Sequence, residues 1–220
     1  MTPLSEQYRP RTFGDIAGHS KVKKLLDRLI AAGTLAGRAI WLSGISGIGK
    51  TTFSRIIARE VADPFNIEEL DAGGFTPADL ERARDGWQTY GMDFTGGKRN
   101  GRALILNEAH KLRADTVAAF LVALETDFHS HVIVVFTTTI KGQLELFSAK
   151  HDAQPLVDRC TSIKLEADEP EAMARRVMEI AQREGLDGQP LDAYKLLLAR
   201  CGYSMRRALG EVEAGAMLPA

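Results

Sequence analysis

Residues 44–51 read Gly44-Ile45-Ser46-Gly47-Ile48-Gly49-Lys50-Thr51, the spacing G-x-x-x-x-G-K-[ST]. Such a run can cradle a polyphosphate. Its glycines let the backbone curl so that successive N–H groups point at anionic oxygens, and a helix opening at its end adds positive potential. Lys50 would reach the β- and γ-phosphates, and the Thr51 hydroxyl would ligate Mg2+, with Thr52 counted among the nucleotide contacts. Lys50 is expected to serve the phosphate alone, so that the loop itself gains nothing from it. The competing account is a Gly-rich turn that matches by chance. The flanks argue against it. Ala39-Ile40-Trp41-Leu42 reads as a buried strand before the loop, and Phe53, Ile56, Ile57 and Val61 recur at helical spacing behind it. A nucleoside triphosphate is the expected ligand.

A phosphate loop needs an acidic group opposite it. The apolar run Ala103-Leu104-Ile105-Leu106 ends in Asn107-Glu108-Ala109-His110. Glu108 stands where a general base would activate water. Asn107 stands where an aspartate would orient Mg2+ through water, and it carries no charge. Taken alone, Asn-Glu also starts many helices.

The elements that must hold these groups alternate. Ser20 can cap a helix with the apolar face Val22, Leu25, Leu26, Leu29 and Ile30, and Gly33 would stop it. Residues 66–70 are a weaker strand candidate. A helix is expected from Pro77 to about Gln88 with Thr76 as its cap, and residues 91–101 are expected to form a loop. Val117, Phe120, Leu121 and Leu124 mark a further helix, and Val132-Ile133-Val134-Val135-Phe136 is the strongest strand pattern. Alternation of this kind predicts an α/β fold: a parallel sheet with helices on both faces. After Leu165 the pattern turns all-helical, with helices starting at Asp168-Glu169-Pro170, spanning 191–199, and spanning 205–217. The expected division is a nucleotide-binding core over 1–167 and a small helical lid over 168–220.

Composition narrows the function classes. Hydrophobic residues at 45% and charged residues at 26% are ordinary globular values. The net charge of −1 supplies no global pull on nucleic acid or membrane, so any DNA contact must be a local basic patch. Lys98, Arg99 and Arg102 form one such cluster, but a solvated loop is the better account of it. The first residues lack the basic and apolar blocks of a signal peptide, and no apolar stretch approaches the ~18 residues of a membrane span. Cys160 and Cys201 are too far apart to suggest zinc or a disulfide framework. A cytoplasmic protein with no membrane partner is expected.

Further motifs carry a resemblance. Tyr8-Arg9-Pro10, Phe13 and Asp15-Ile16-Ala17-Gly18 together resemble the N-terminal signature of clamp-loader AAA+ ATPases, the bacterial tau/gamma and replication factor C subunits. Residues 67–72 are similar to that family's second strand, and residues 107–112 to its acidic box. The resemblance implies that Tyr8, Arg9, Pro10 and Ile16 line an adenine pocket. It implies that Thr139, with Thr138 as second choice, senses the γ-phosphate at the end of a strand. Asp158-Arg159-Cys160 is similar to the family's Ser-Arg-Cys, which implies that Arg159 acts in trans on a neighbouring subunit's ATP. Ser204-Met205-Arg206-Arg207-Ala208-Leu209 is similar to the lid motif, which implies that Arg206 contacts the γ-phosphate in its own subunit. Taken singly, Thr137 to Thr139 is also a strand end that favours β-branched residues. Arg159 is also a solvated charge, and Arg206-Arg207 an exposed helix face.

The sequence departs from the family at Asn107, at Asp158, which could pair with Arg159 and hold it back, and in a long segment over 140–156. It ends before the helical collar into which the family continues, and it has no cysteine-bound zinc module. The resemblance implies an ATP- and Mg2+-dependent subunit acting in DNA replication or repair. Expected partners are other AAA+ clamp-loader-type subunits, a sliding clamp and primed DNA. The alternatives are another DNA-associated AAA+ motor, for branch migration or helicase loading, and a nucleotide-gated scaffold with little turnover.

Overall fold

The computed structural model describes residues 2–94, 96, 99–126, 128–139 and 153–219. Its five strands are β1 (Arg38–Gly44), β2 (Ile67–Asp71), β3 (Arg102–Asn107), β4 (Val132–Thr139) and β5 (Thr161–Leu165). All pair in parallel, in the order β2-β3-β4-β1-β5. Parallel neighbours need crossovers, and helices supply most of them. In chain order these are α1 (Leu4–Gln7), α2 (Ser20–Ala31), α3 (Lys50–Val61), α4 (Pro77–Trp87), α5 (Ala114–Thr126), α6 (Gln154–Asp158), α7 (Pro170–Arg183), α8 (Leu191–Arg200) and α9 (Met205–Glu213).

Side chains alternate across a strand, so β1 feeds two cores. Ile40 and Leu42 face Phe53, Ile56 and Ile57 of α3 in one cluster. Ala39 and Trp41 face the other, where the Trp41 and Phe136 rings lie 5.4 Å apart and Phe120 of α5 closes the layer. Truncating a buried aromatic such as Trp41 to alanine costs about 3–5 kcal/mol in such a core. The first cluster continues past residue 167 into Val177 and Ile180 of α7, Leu198 of α8 and Val212 of α9.

Register sets the site. Gly44 at the end of β1 lies level with Thr139 on β4 and Leu165 on β5, and Asp71 lies level with Asn107. Their carboxyl ends therefore share one rim, and β1 sits between β4 and β5, where the winding reverses. Ligands of open parallel sheets bind at that crevice.

Several expectations change. Ser20 is not the cap of α2: His19 holds that position in a left-handed backbone (φ 57), and Ser20 begins the helix. Thr76 does cap α4, in a capping box with Asp79. β5 went unforeseen. The last helix ends at Glu213 rather than Met217, and Gly215 turns the chain at φ 86. Of the long segment over 140–156, residues 140–152 lie outside the described residues, as does Lys98 of the basic cluster.

Candidate functional site

The loop after β1 is shaped by close approach. A side chain at Gly44 would bring a Cβ to 2.8 Å from the Leu165 carbonyl oxygen. At Gly47 (φ 79) it would stand 2.0 Å from the Ser204 hydroxyl, because the start of α9 docks there: the Met205 N–H donates to the Gly47 carbonyl at 3.2 Å. Gly49 (φ 115) turns the chain into α3. Lys50 opens that helix and is buried. Its Nζ donates to the Gly44 and Ile45 carbonyls at 3.0 and 2.9 Å, so the loop does gain from this lysine, contrary to expectation. Burial pulls the ammonium below its usual pKa, Glu108 opposes that, and Arg206 adds to it. A cation held this way is poised for an anion.

One cavity joins three parts of the chain. Ser46, Gly47, Ile48, Gly49, Lys50, Thr51 and Thr52 form one wall, and Glu108 lies beside them. Arg206 and Leu209 of α9, with Ile180 of α7, form a second wall. Tyr8, Arg9, Pro10, Ile16, Ala17 and His19 form the third. The N-terminal wall is tied down by hydrogen bonds from the Tyr8 hydroxyl and Gln7 Nε2 to the Glu184 carboxylate, and the first of these holds the Tyr8 phenol above its usual pKa. Asp15 keeps the following turn closed. Its carboxylate accepts from the Thr12 N–H and hydroxyl and the Arg11 N–H, which holds its pKa below the usual range. Gly44 and Ile45 lie outside this cavity; Ile45 lines a neighbouring pocket with Arg206 and Arg207.

Asn107 and Thr139 do not line the cavity. The Asn107 amide is engaged at both ends: Nδ2 donates to Glu69 Oε1 at 2.8 Å, and Oδ1 accepts from Thr137 Oγ1 at 3.0 Å. Glu69 in turn grips Arg55 of α3 through two contacts of 2.6 and 3.1 Å. A carboxylate on β2 therefore lies next to the position where the sequence carries a neutral amide. Glu108 adopts a left-handed backbone (φ 57), with its Oε2 3.5 Å from His110 Nε2. His110 Nδ1 lies 3.2 Å from the Thr138 hydroxyl. The second-choice threonine thus touches the residue flanking Glu108, while Thr139 ends β4 level with Gly44.

Arg159 is elsewhere. It caps α6 ahead of β5, at the opposite pole of the sheet from Gly44. It does not pair with Asp158, which accepts instead from Gln154 Nε2 at 2.6 Å. Its guanidinium grips Glu125 of α5 and donates to the Pro155 carbonyl at 3.1 Å.

Sequence reasoning missed Arg55, Glu69, Thr137, His19 and a contact role for His110. Only Arg55 left a signal, four residues after Thr51 on one helix face. Among the described residues no group of three or more His, Cys, Asp or Glu could hold a metal. A hydroxyl, a neutral amide and a nearby carboxylate instead suit a Mg2+ that keeps waters and phosphate oxygens as ligands. Burial pushes the Cys160 thiol up to about 12 and raises that of Cys201, so neither is a reactive thiolate. No helix among the described residues is long and apolar enough to cross a membrane.

Residues 40–147 match the family model of the ATPase family associated with various cellular activities (AAA). The chain is 26% identical over 214 residues to the replication factor C small subunit of Natronomonas pharaonis, covering 97% of this chain and 62% of the relative. It is 26% identical over 218 residues to that of Methanoregula boonei, covering 98% and 63%. The chain thus spans less than two thirds of these relatives' length. Among solved structures, the Thermotoga maritima RuvB Holliday junction branch migration motor superposes with a TM-score of 0.69 at 21% identity, covering 94% of this chain and 64% of that one. That likeness is one of fold.

Proposed function

We propose that this chain, a P-loop ATPase with an AAA domain over residues 40–147 and similarity to replication factor C small subunits over nearly its whole length, is the ATP-driven part of a clamp-loader-like subunit in DNA replication or repair. One observation carries the reading. A single cavity unites the phosphate loop, Glu108, Arg206 and the N-terminal segment that resembles an adenine pocket.

In this reading residues 1–167 are the nucleotide-binding core, and residues 168–220 are a lid whose Arg206 faces the γ-phosphate. The Lys50 ammonium moves from the loop carbonyls to the phosphate oxygens. The Thr51 hydroxyl and, through water, Asn107 would hold Mg2+, which when bound offsets phosphate charge. Glu108 accepts the proton of the attacking water, with His110 steadying its carboxylate. Thr139 senses the γ-phosphate at the rim, and Arg159 completes a neighbouring subunit's site, stabilising charge in the transition state. Partners are other AAA+ subunits, a sliding clamp and primed DNA, in the cytoplasm.

A second reading is a nucleotide-gated scaffold with little turnover. It is favoured by Asn107, which is neutral and already engaged by Glu69 and Thr137. Turnover measured with and without primed DNA and partner subunits separates the two. DNA-stimulated hydrolysis that Glu108→Gln abolishes supports the enzyme, and binding without turnover under any of these conditions supports the scaffold.

A further inference from the structure

A second, open cleft adjoins the nucleotide cavity and shares Arg9, Pro10 and Thr52 with it. Four guanidiniums line this cleft, from Arg9, Arg11, Arg55 and Arg59, and they face a single carboxylate, Glu6. Glu6 is taken by Arg9, whose Nε donates to it at 3.0 Å. Arg55 is held from its other side by Glu69. The Arg11 and Arg59 guanidiniums have no ion pair or hydrogen bond among the described residues. Arg59 is half-buried, so its charge is fixed to the cleft wall rather than free to wander in water. Arg55 and Arg59 lie one turn apart on one face of α3, a separation of about 6 Å along the helix axis. The other basic cluster of the sequence is committed internally: Arg99 pairs with Glu60 at 3.5 Å, and Arg102 Nε donates to the Thr89 carbonyl at 2.9 Å.

We infer that the arginine cleft seats the phosphodiester backbone of a nucleic-acid strand beside the nucleotide, with Arg11 and Arg59 as the principal contacts. The inference rests on the reading of this chain as a DNA-dependent ATPase and gives that reading a place on the surface. A net charge of −1 exerts no long-range pull on a polyanion, so a strand needs a local patch of this kind. All four cations are arginines, whose planar forks match phosphate oxygens in pairs. A strand brings one charge at every step, whereas a protein surface would have to gather several carboxylates into one cleft. No aromatic side chain lines the cleft, so bases have nothing to stack on and the contact reads backbone, not sequence. Because Arg9 and Thr52 belong to both walls, a strand in the cleft lies against the nucleotide site it would stimulate.

The test is binding of fluorescently labelled single-stranded, duplex and primed DNA, read by anisotropy over a range of salt with Mg2+ and a slowly hydrolysed ATP analogue. Arg11→Ala and Arg59→Ala should each weaken binding about 5–10-fold, alike for DNA of different sequence, and each should lower the slope of log affinity against log salt by about one. Neither residue lines the nucleotide cavity, so affinity for the ATP analogue should stay unchanged, which also shows that the variants are folded. Arg99→Ala removes the same charge elsewhere and should leave DNA binding as it was. An unaltered affinity and salt slope in the Arg11→Ala/Arg59→Ala double variant overturns the inference. So does an equal loss in Arg99→Ala, which would make the effect one of overall charge. If the double variant binds DNA normally but loses self-association by light scattering, the cleft takes an acidic surface of another subunit, and the inference falls. Displacement of inorganic pyrophosphate by no DNA would reduce the cleft to a small-anion site and overturn it as well. Failure of the underlying reading looks different: the chain binds no ATP analogue, or no DNA binds it and none raises turnover. If DNA binds and stimulates turnover irrespective of Arg11 and Arg59, that reading stands and only the cleft falls.

Discussion

Two arginines named by the same family resemblance end in opposite settings. Arg206 starts α9, which is docked on the phosphate loop, and lines the cavity close enough to depress the Lys50 pKa. Arg159 sits at the other pole of the sheet, paired with Glu125 and a backbone carbonyl. The difference teaches what a chain can finish by itself. The phosphate loop from Ser46 to Thr52, Glu108 and Arg206 share one cavity. Nothing in this chain brings Arg159 to it. The cavity draws its lining from this chain's own elements, and the Arg159 corner lies apart from it, paired with Glu125.

Lys50→Ala gives the largest effect and tests the cavity end. Losing a charged contact to phosphate should weaken ATP binding about 100-fold by calorimetry, equivalent to ~2.7 kcal/mol. It should also lower the melting temperature without nucleotide, because two loop carbonyls lose their donor. Full affinity in a folded variant would leave the loop without its role.

The contrast between the arginines comes next. Arg206→Ala should weaken ATP binding by the isolated chain by about tenfold. Arg159→Ala should leave that affinity unchanged and lower turnover only in mixtures with partner subunits or DNA. Equal effects of both substitutions on binding would erase the distinction between the two regions. Glu125→Gln sharpens it. An exposed pair contributes under ~1 kcal/mol, so the fold should tolerate the change while the freed Arg159 raises turnover in the assembly.

Asn107→Asp probes the network beside the cavity. It replaces the 2.8 Å amide–carboxylate contact with Glu69 by two carboxylates, which repel. Without Mg2+ the variant should melt lower than the parent, and Mg2+ with ATP should raise its melting temperature by more than it raises the parent's. Combining it with Glu69→Gln, which restores a donor, should remove the penalty in the absence of metal. No change in the Mg2+ response would mean that this residue does not face the metal.

The smallest effect is a slope with pH. Burial holds His19 and His131 below the usual histidine value of about 6.5. The unfolded chain therefore takes up protons first as pH falls, and stability should decline below about pH 6.5, ahead of any loss from the depressed carboxylates. His19→Phe should flatten the decline of melting temperature between pH 7 and 5, and Arg159→Ala should not.

Much of this was legible because the signals are local. The phosphate loop, the apolar strands β1, β3 and β4, and the capping box at Thr76 each declare themselves within a few residues. β5 escaped because Ser162 and Lys164 interrupt a five-residue run with only Ile163 and Leu165 buried, a pattern too short to read as alternation. The reach of Arg159 was misjudged toward Asp158, its chain neighbour, when Glu125 lies 34 residues away in sequence.

The order of residues alone determined that a phosphate-binding loop would open a helix after a buried strand, because glycine freedom, apolar periodicity and the lysine all lie in one stretch of chain. Only the tertiary structure decided what surrounds it. Sheet register joined Arg55, Glu69, Asn107 and Thr137 from three strands and a helix into one network. It set His110 between Glu108 and Thr138, and it turned His19 into a buried ring with one unmatched nitrogen. Such contacts depend on which strands become neighbours and how their ends align. That follows from burying both faces of the sheet at once, and no single segment encodes it.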